Sequence, residues 1–189
     1  MDISPARATP PRFSEALDQV RRARLRPGLH LTRHDSPARL APHEVSFAAG
    51  VGDPASPDRP LAIGRFILLH DPARPEPWGG DFRVVTYLRA GVEPDVAAEE
   101  MFSHVAWEWL LESLEARGAR HSGAGGTATR SFSQGFGSLS RDAQTTELEL
   151  RASWTPQGPD MRRHLEAWGD VVCACAGLPP AGLAAAHDR

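Results

Sequence analysis

Apolar and polar residues exchange along this chain at two periods. Between Glu44 and Val51 they alternate, with Val45, Phe47, Ala49 and Val51 on one side and Glu44, Ser46 and Ala48 on the other, which predicts a strand with one buried face. Residues 61–69 are apolar on both sides apart from Arg65, as in a central strand, and Phe82, Val84, Thr86 and Leu88 alternate with Arg83, Val85, Tyr87 and Arg89. These two segments read as a hairpin. Two further strands are predicted at 127–132 and 145–154; in the second, Leu148, Leu150, Ala152 and Trp154 alternate with Glu147, Glu149, Arg151 and Ser153.

The other period is helical. Phe13, Leu17 and Val20 share a face in a segment that opens at Pro10-Pro11 after a Thr9 cap and runs to about Arg24. A closing helix opens at Pro159-Asp160, carries Met161, Leu165, Trp168, Val172 and Cys175 on one stripe, and stops at Gly177. The strongest pattern spans residues 95–117, between Pro94 and the left-handed stop Gly118. There Met101, Phe102, Val105 and Trp109 cover one side, and Trp107, Leu110, Leu111 and Leu114 cover nearly the opposite one. Such a helix needs cover on two sides. A sheet supplies one; another helix or a second subunit must supply the other, which makes Trp107, Leu111 and Leu114 dimer-interface candidates.

The predicted fold is therefore a single α+β domain over residues 11–180, ordered α-β-β-β-α-β-β-α, with a five-stranded antiparallel sheet covered by helices. Residues 1–10 and 181–189 read as flexible tails.

Composition narrows the class. With 189 residues, 41% hydrophobic and 24% charged, the chain matches a soluble globular domain, and a net charge of −3 lacks the basic footprint of a general nucleic-acid binder. Charge is uneven, at net +4 over residues 1–40 and net −6 over 91–117, which suggests pairing within the fold or across a dimer. All 21 cationic side chains are Arg, a G+C-rich coding signature that lowers the weight of any single Arg. Cys173 and Cys175 lie two apart in a helix and cannot bridge there, so a reduced, cytoplasmic protein is expected. No leader or membrane-spanning stretch is visible.

Little chemistry is legible. Gly123-Ala124-Gly125-Gly126-Thr127 precedes a strand rather than a helix, so it reads as a mobile connector and not a phosphate cradle. His104, Glu108 and Glu112 recur every four residues, the pattern of a water-facing stripe; no metal or cofactor site is expected. No nucleophile elbow is present. The best cluster is the long, proline-bearing connection of residues 70–81 and its exit, where His70, Asp71, Trp78 and Arg83 offer an imidazole, a carboxylate, an aromatic plate and a guanidinium to a ligand or partner. Catalytic residues are not assignable.

The stretches FSEALDQVRRARLR (Phe13 to Arg26), GRFILLHDP (Gly64 to Pro72), WGGDFRVVTYLR (Trp78 to Arg89), RASWTP (Arg151 to Pro156) and AWGDVVCACAGLPP (Ala167 to Pro180), with the Trp107 helix, resemble the actinobacterial domain-of-unknown-function family DUF3000. That resemblance spans nearly the whole chain and implies a cytoplasmic protein of a G+C-rich bacterium. It supplies no site residue. The element order also loosely resembles the secretion-chaperone fold, whose members are dimers that bind extended segments of other proteins. Two readings of function follow: a homodimeric binding module or adaptor for another protein, with neither membrane nor nucleic acid as partner, or a small-molecule-binding protein or enzyme using the His70 to Arg83 loop.

Overall fold

Among the described residues six strands, one more than expected, build a single antiparallel sheet in the order β1-β2-β3-β4-β6-β5. They are β1 (Leu29–His34), β2 (His43–Val51), β3 (Ala62–His70), β4 (Phe82–Val92), β5 (His121–Ser133) and β6 (Thr145–Pro156). Among the described residues three helices join them: α1 (Pro11–Arg21), α2 (Phe102–Ala116) and α3 (Met161–Cys175). The computed structural model describes residues 9–34, 40–54, 59–92, 102–137 and 145–179. The expected start of the long helix, at 95–101, and both predicted tails beyond residues 9 and 179 lie outside them.

The strand missing from the sequence reading is β1. It is a short edge strand in which only Leu29 is buried and Leu31 half-buried, so its alternation is too brief to stand out among His30, Thr32, Arg33 and His34. Helix α1 also departs from expectation: its cap is Pro10, without a side-chain hydrogen bond, and it ends at Arg21. Proline suits that first turn because its missing N–H would have no intrahelical acceptor.

Strand pairing sorts side chains into two faces. One row of the inner face runs Val45, Leu68, Val84 and Trp154 across four strands, and the next runs Phe47, Phe66, Thr86 and Ala152. Helix α3 lies on these rows; its Trp168 ring sits 5.7 Å from Phe66 and leaves no room for a side chain at Gly64, where a Cβ would stand 2.6 Å from the indole. Trp154, Trp168, Phe66, Leu88, Leu148 and Leu165 are each at most 2% exposed, and each contributes about 2–3 kcal/mol through removal of apolar surface from water.

Helix α2 finds both its covers within the chain. Ala106, Leu110 and Leu114 are buried, α3 packs against α2, and Trp107 lies on β5 at Gly126. Leu114, expected at a subunit interface, is wholly inside the core; Trp107 and Leu111 keep only part of their surface exposed. At the helix end Arg117 forks onto both Asp170 oxygens of α3 at 2.7 and 3.0 Å and reaches Glu166 at 3.4 Å. That pairing holds the guanidinium pKa above its ordinary value, the hydrogen bond to Asp170 being the main cause.

Gly123 to Thr127, expected as a connector, is part of β5. The register slips between Ser122 and Gly125, a bulge that Gly123 accommodates with φ +56°. The glycines hid the strand from a propensity reading; at Gly126 the Arg151 carbonyl and the Trp107 ring leave no space for a side chain.

Candidate functional site

His70 and Arg83, predicted to share one cluster, lie on opposite faces of the sheet. His70 pairs with Phe82, and its neighbour Leu69 pairs with Arg83, so the two side chains point apart by the alternation of the strands. His70 is 2% exposed beneath α1, with its ring 4.5 Å from Phe82, 5.7 Å from Phe13 and 5.8 Å from His43. Its Nε2 stands 3.6 Å from Asp81, which Arg12 also bridges, and its Nδ1 has no hydrogen-bond partner among the described residues. Burial lowers its pKa despite the Asp81 charge, so the ring is neutral at neutral pH.

Asp71 shapes the loop rather than facing a ligand. Its carboxylate accepts the Ala73 N–H at 2.9 Å, and its own N–H donates to the Asp81 carbonyl at 2.9 Å. Trp78 closes a single 3₁₀ turn, Glu76–Trp78, and is half-buried. Its carbonyl accepts the Thr155 hydroxyl, and Thr155 in turn accepts Arg83 at 3.0 Å. Arg83 donates further to Ser153 Oγ at 2.7 Å and to the Gly123 carbonyl at 3.1 Å. Its guanidinium thus braces β4, β6 and the β5 bulge. Burial lowers its pKa from a value so high that it stays charged. Thr155, fully buried at the centre of this chain of bonds, was not legible in the sequence.

No helix lies over the outer face of the central strands among the described residues. One row there runs Ala48, Arg65, Tyr87, Arg151 and Thr127, and the adjacent row runs Ser46, Ile67, Val85, Ser153 and Gly125. Between them lies a groove of about 560 Å³, floored by Ile67, Val85 and Tyr87 and flanked by Arg65 and Arg151. Tyr87 donates its hydroxyl to Glu149 at 3.1 Å, Arg151 donates to the same carboxylate at 2.7 Å, and the Arg151 guanidinium lies 5.7 Å from the Tyr87 ring centre. Burial, followed by the Glu149 hydrogen bond, raises the phenol pKa. The outward alternation of strands 82–89 and 145–154 carried a sign of this face, but only the register brings Arg65, Tyr87 and Arg151 side by side.

Other candidates take structural places. His104, Glu108 and Glu112 are exposed, and no group of three or more His, Cys, Asp or Glu among the described residues is placed to hold a metal ion. Cys173 and Cys175 are free and buried, and burial pushes the Cys175 thiol up to about 12. No described helix is long and apolar enough to cross a membrane.

The class defined by these observations is an α+β protein whose described residues set three helices against one face of a six-stranded antiparallel sheet. The chain belongs to the family described as Protein of unknown function (DUF3000), whose model matches residues 9–184. No curated protein and no solved structure matches it.

Proposed function

We propose that this protein is a homodimeric binding module, an adaptor that holds another protein on the outer face of its sheet. The carrying observation is the segregation of layers. The three described helices pack on one side, and the other presents a groove with an aliphatic floor and an aromatic ring, the composition by which protein partners are held. The loop of residues 70–83 braces one end of this face: the donors of Arg83 go to Ser153, Thr155 and Gly123, and Asp71 and Trp78 bond within the loop and to Thr155.

The dimer rests on a second feature. Strand β5 is a sheet edge of 13 residues, exposed along nearly all its length, without proline and with Arg130 as its only Lys, Arg, Asp or Glu. Phe132 on this edge is 62% exposed. An edge so long and so little guarded is suited to antiparallel pairing with its own copy, which would extend the sheet and bring Trp107 of α2 toward the junction.

Photo-crosslinking in the native host tests the adaptor reading. A photoreactive residue at Val85, on the outer face, is expected to capture a discrete partner protein, while one at Glu15 on the exposed side of α1 is not. Capture from Glu15 alone, or from neither site, overturns the reading.

A further inference from the structure

The groove carries a charge signature that its proposed protein partner has to match. Among the described residues its lining includes two guanidinium groups, a phenol, hydroxyls and aliphatic carbons, and no carboxylate. The two cations are not equivalent. Arg151 is neutralised by Glu149, whereas Arg65, half-buried between Ala48 and Tyr87, has no ion-pair or hydrogen-bond partner among the described residues. A guanidinium held against a partly apolar floor gains most from a carboxylate, which it meets through two parallel hydrogen bonds. Ile67 lies two residues along the same strand, at the ~6.6 Å repeat that an extended peptide shares.

Building on the reading of the outer face as a protein-binding surface, we infer that the groove takes an extended acidic segment, with one Asp or Glu carboxylate on Arg65 and an apolar side chain two residues away on Ile67 and Val85. Tyr87 packs against the intervening backbone. Polyanions are a poorer match, because the Glu149 carboxylate sits in the next row of side chains, opposite Arg89, and is already bound to Tyr87 and Arg151.

Tyr87 is the only tyrosine of the chain, so fluorotyrosine incorporation places a single fluorine resonance in the groove. The probes are the capped peptide Leu-Ser-Glu-Ser-Leu, its Gln counterpart, its Lys counterpart and a uridine octanucleotide. The Glu peptide is expected to shift the resonance saturably, with the Gln peptide binding about tenfold more weakly, as loss of one charge-assisted contact requires. In Arg65→Glu the preference should reverse toward the Lys peptide, a gain of binding that an unfolded variant cannot show; Arg65→Gln, checked for folding by circular dichroism, should bind Glu and Gln peptides alike. Equal binding of Glu and Gln peptides by the parent protein overturns the acidic specificity while leaving the outer face as a binding surface. No shift with any peptide overturns the inference, and the Val85 cross-link then decides separately whether the outer face binds protein. A shift with the oligonucleotide alone replaces the peptide by nucleic acid.

Discussion

Gly126 of β5 is the seat of Trp107: a Cβ at Gly126 would stand 2.9 Å from Cζ3 of the indole and would collide with the carbonyl oxygen of Arg151. Neither obstacle is the free end of a flexible chain. One is a ring wedged between helix and sheet; the other is backbone of the adjacent strand. Gly126→Ala should therefore cost about 1–3 kcal/mol, the range for forcing a methyl into a packed site, read as a lower urea midpoint. Gly125→Ala is the control, because nothing lies within 4 Å of a Cβ there, and its midpoint should move much less.

Acid sensitivity should trace to His164. This imidazole is 2% exposed and accepts the Trp154 indole N–H on Nδ1 at 3.1 Å, so its single proton sits on Nε2. Burial, with a smaller contribution from His121, lowers its pKa from 6.5 to about 4. Below pH 6.5 the unfolded chain takes up a proton that the folded chain refuses until about pH 4. Stability is therefore whole above pH 6.5 and falls by about 3 kcal/mol as pH drops to 4, with His70 adding to the loss in the same direction. Urea midpoints between pH 7.5 and 4.5 should fall steeply in the parent and less in His164→Gln, which keeps an acceptor for Trp154 and cannot titrate.

Arg83 is expected to behave as a brace. Arg83→Met removes the bonds to Ser153, Thr155 and Gly123 while keeping the aliphatic stem, and should destabilise the fold by about 2 kcal/mol. Hydrogen exchange should speed up first around residues 122–126, where the bulge loses its anchor. Unchanged stability with loss of partner capture would instead place Arg83 in direct contact with a ligand.

Self-association should depend on β5. Light scattering is expected to return twice the 20.5 kDa of one chain, and Phe132→Lys should weaken the dimer by adding like charge on both copies of the edge. The fold should hold, because Phe132 is 62% exposed. A mass of one chain at all micromolar concentrations would remove the homodimer from the proposed function.

Where alternation was long, the local pattern was sufficient to place elements. Phe82 to Leu88 and Leu148 to Trp154 each bury one side, so period two appears in the residues themselves; in Val45 to Val51 it is blurred by Ser46, buried on the other face. Gly118 and Gly177 stop helices with φ of +62° and +74° as their positions suggested. The pattern failed where a residue answers to a distant neighbour. Gly123 to Gly126 resembled a loop because glycine weakens a strand, yet Trp107 and Arg151, remote in sequence, demand a small residue at Gly126.

Chain order alone therefore determined that this is an α+β protein with a heavily apolar central helix, and named most of its strands. Tertiary structure decided which residues meet. Adjacent strand positions point to opposite faces, so His70 and Arg83 separated although one loop joins their strands, while Arg65, Tyr87 and Arg151, far apart in the chain, came into one row. Periodicity states that a side chain leaves one face of its strand; only the pairing register states what stands beside it.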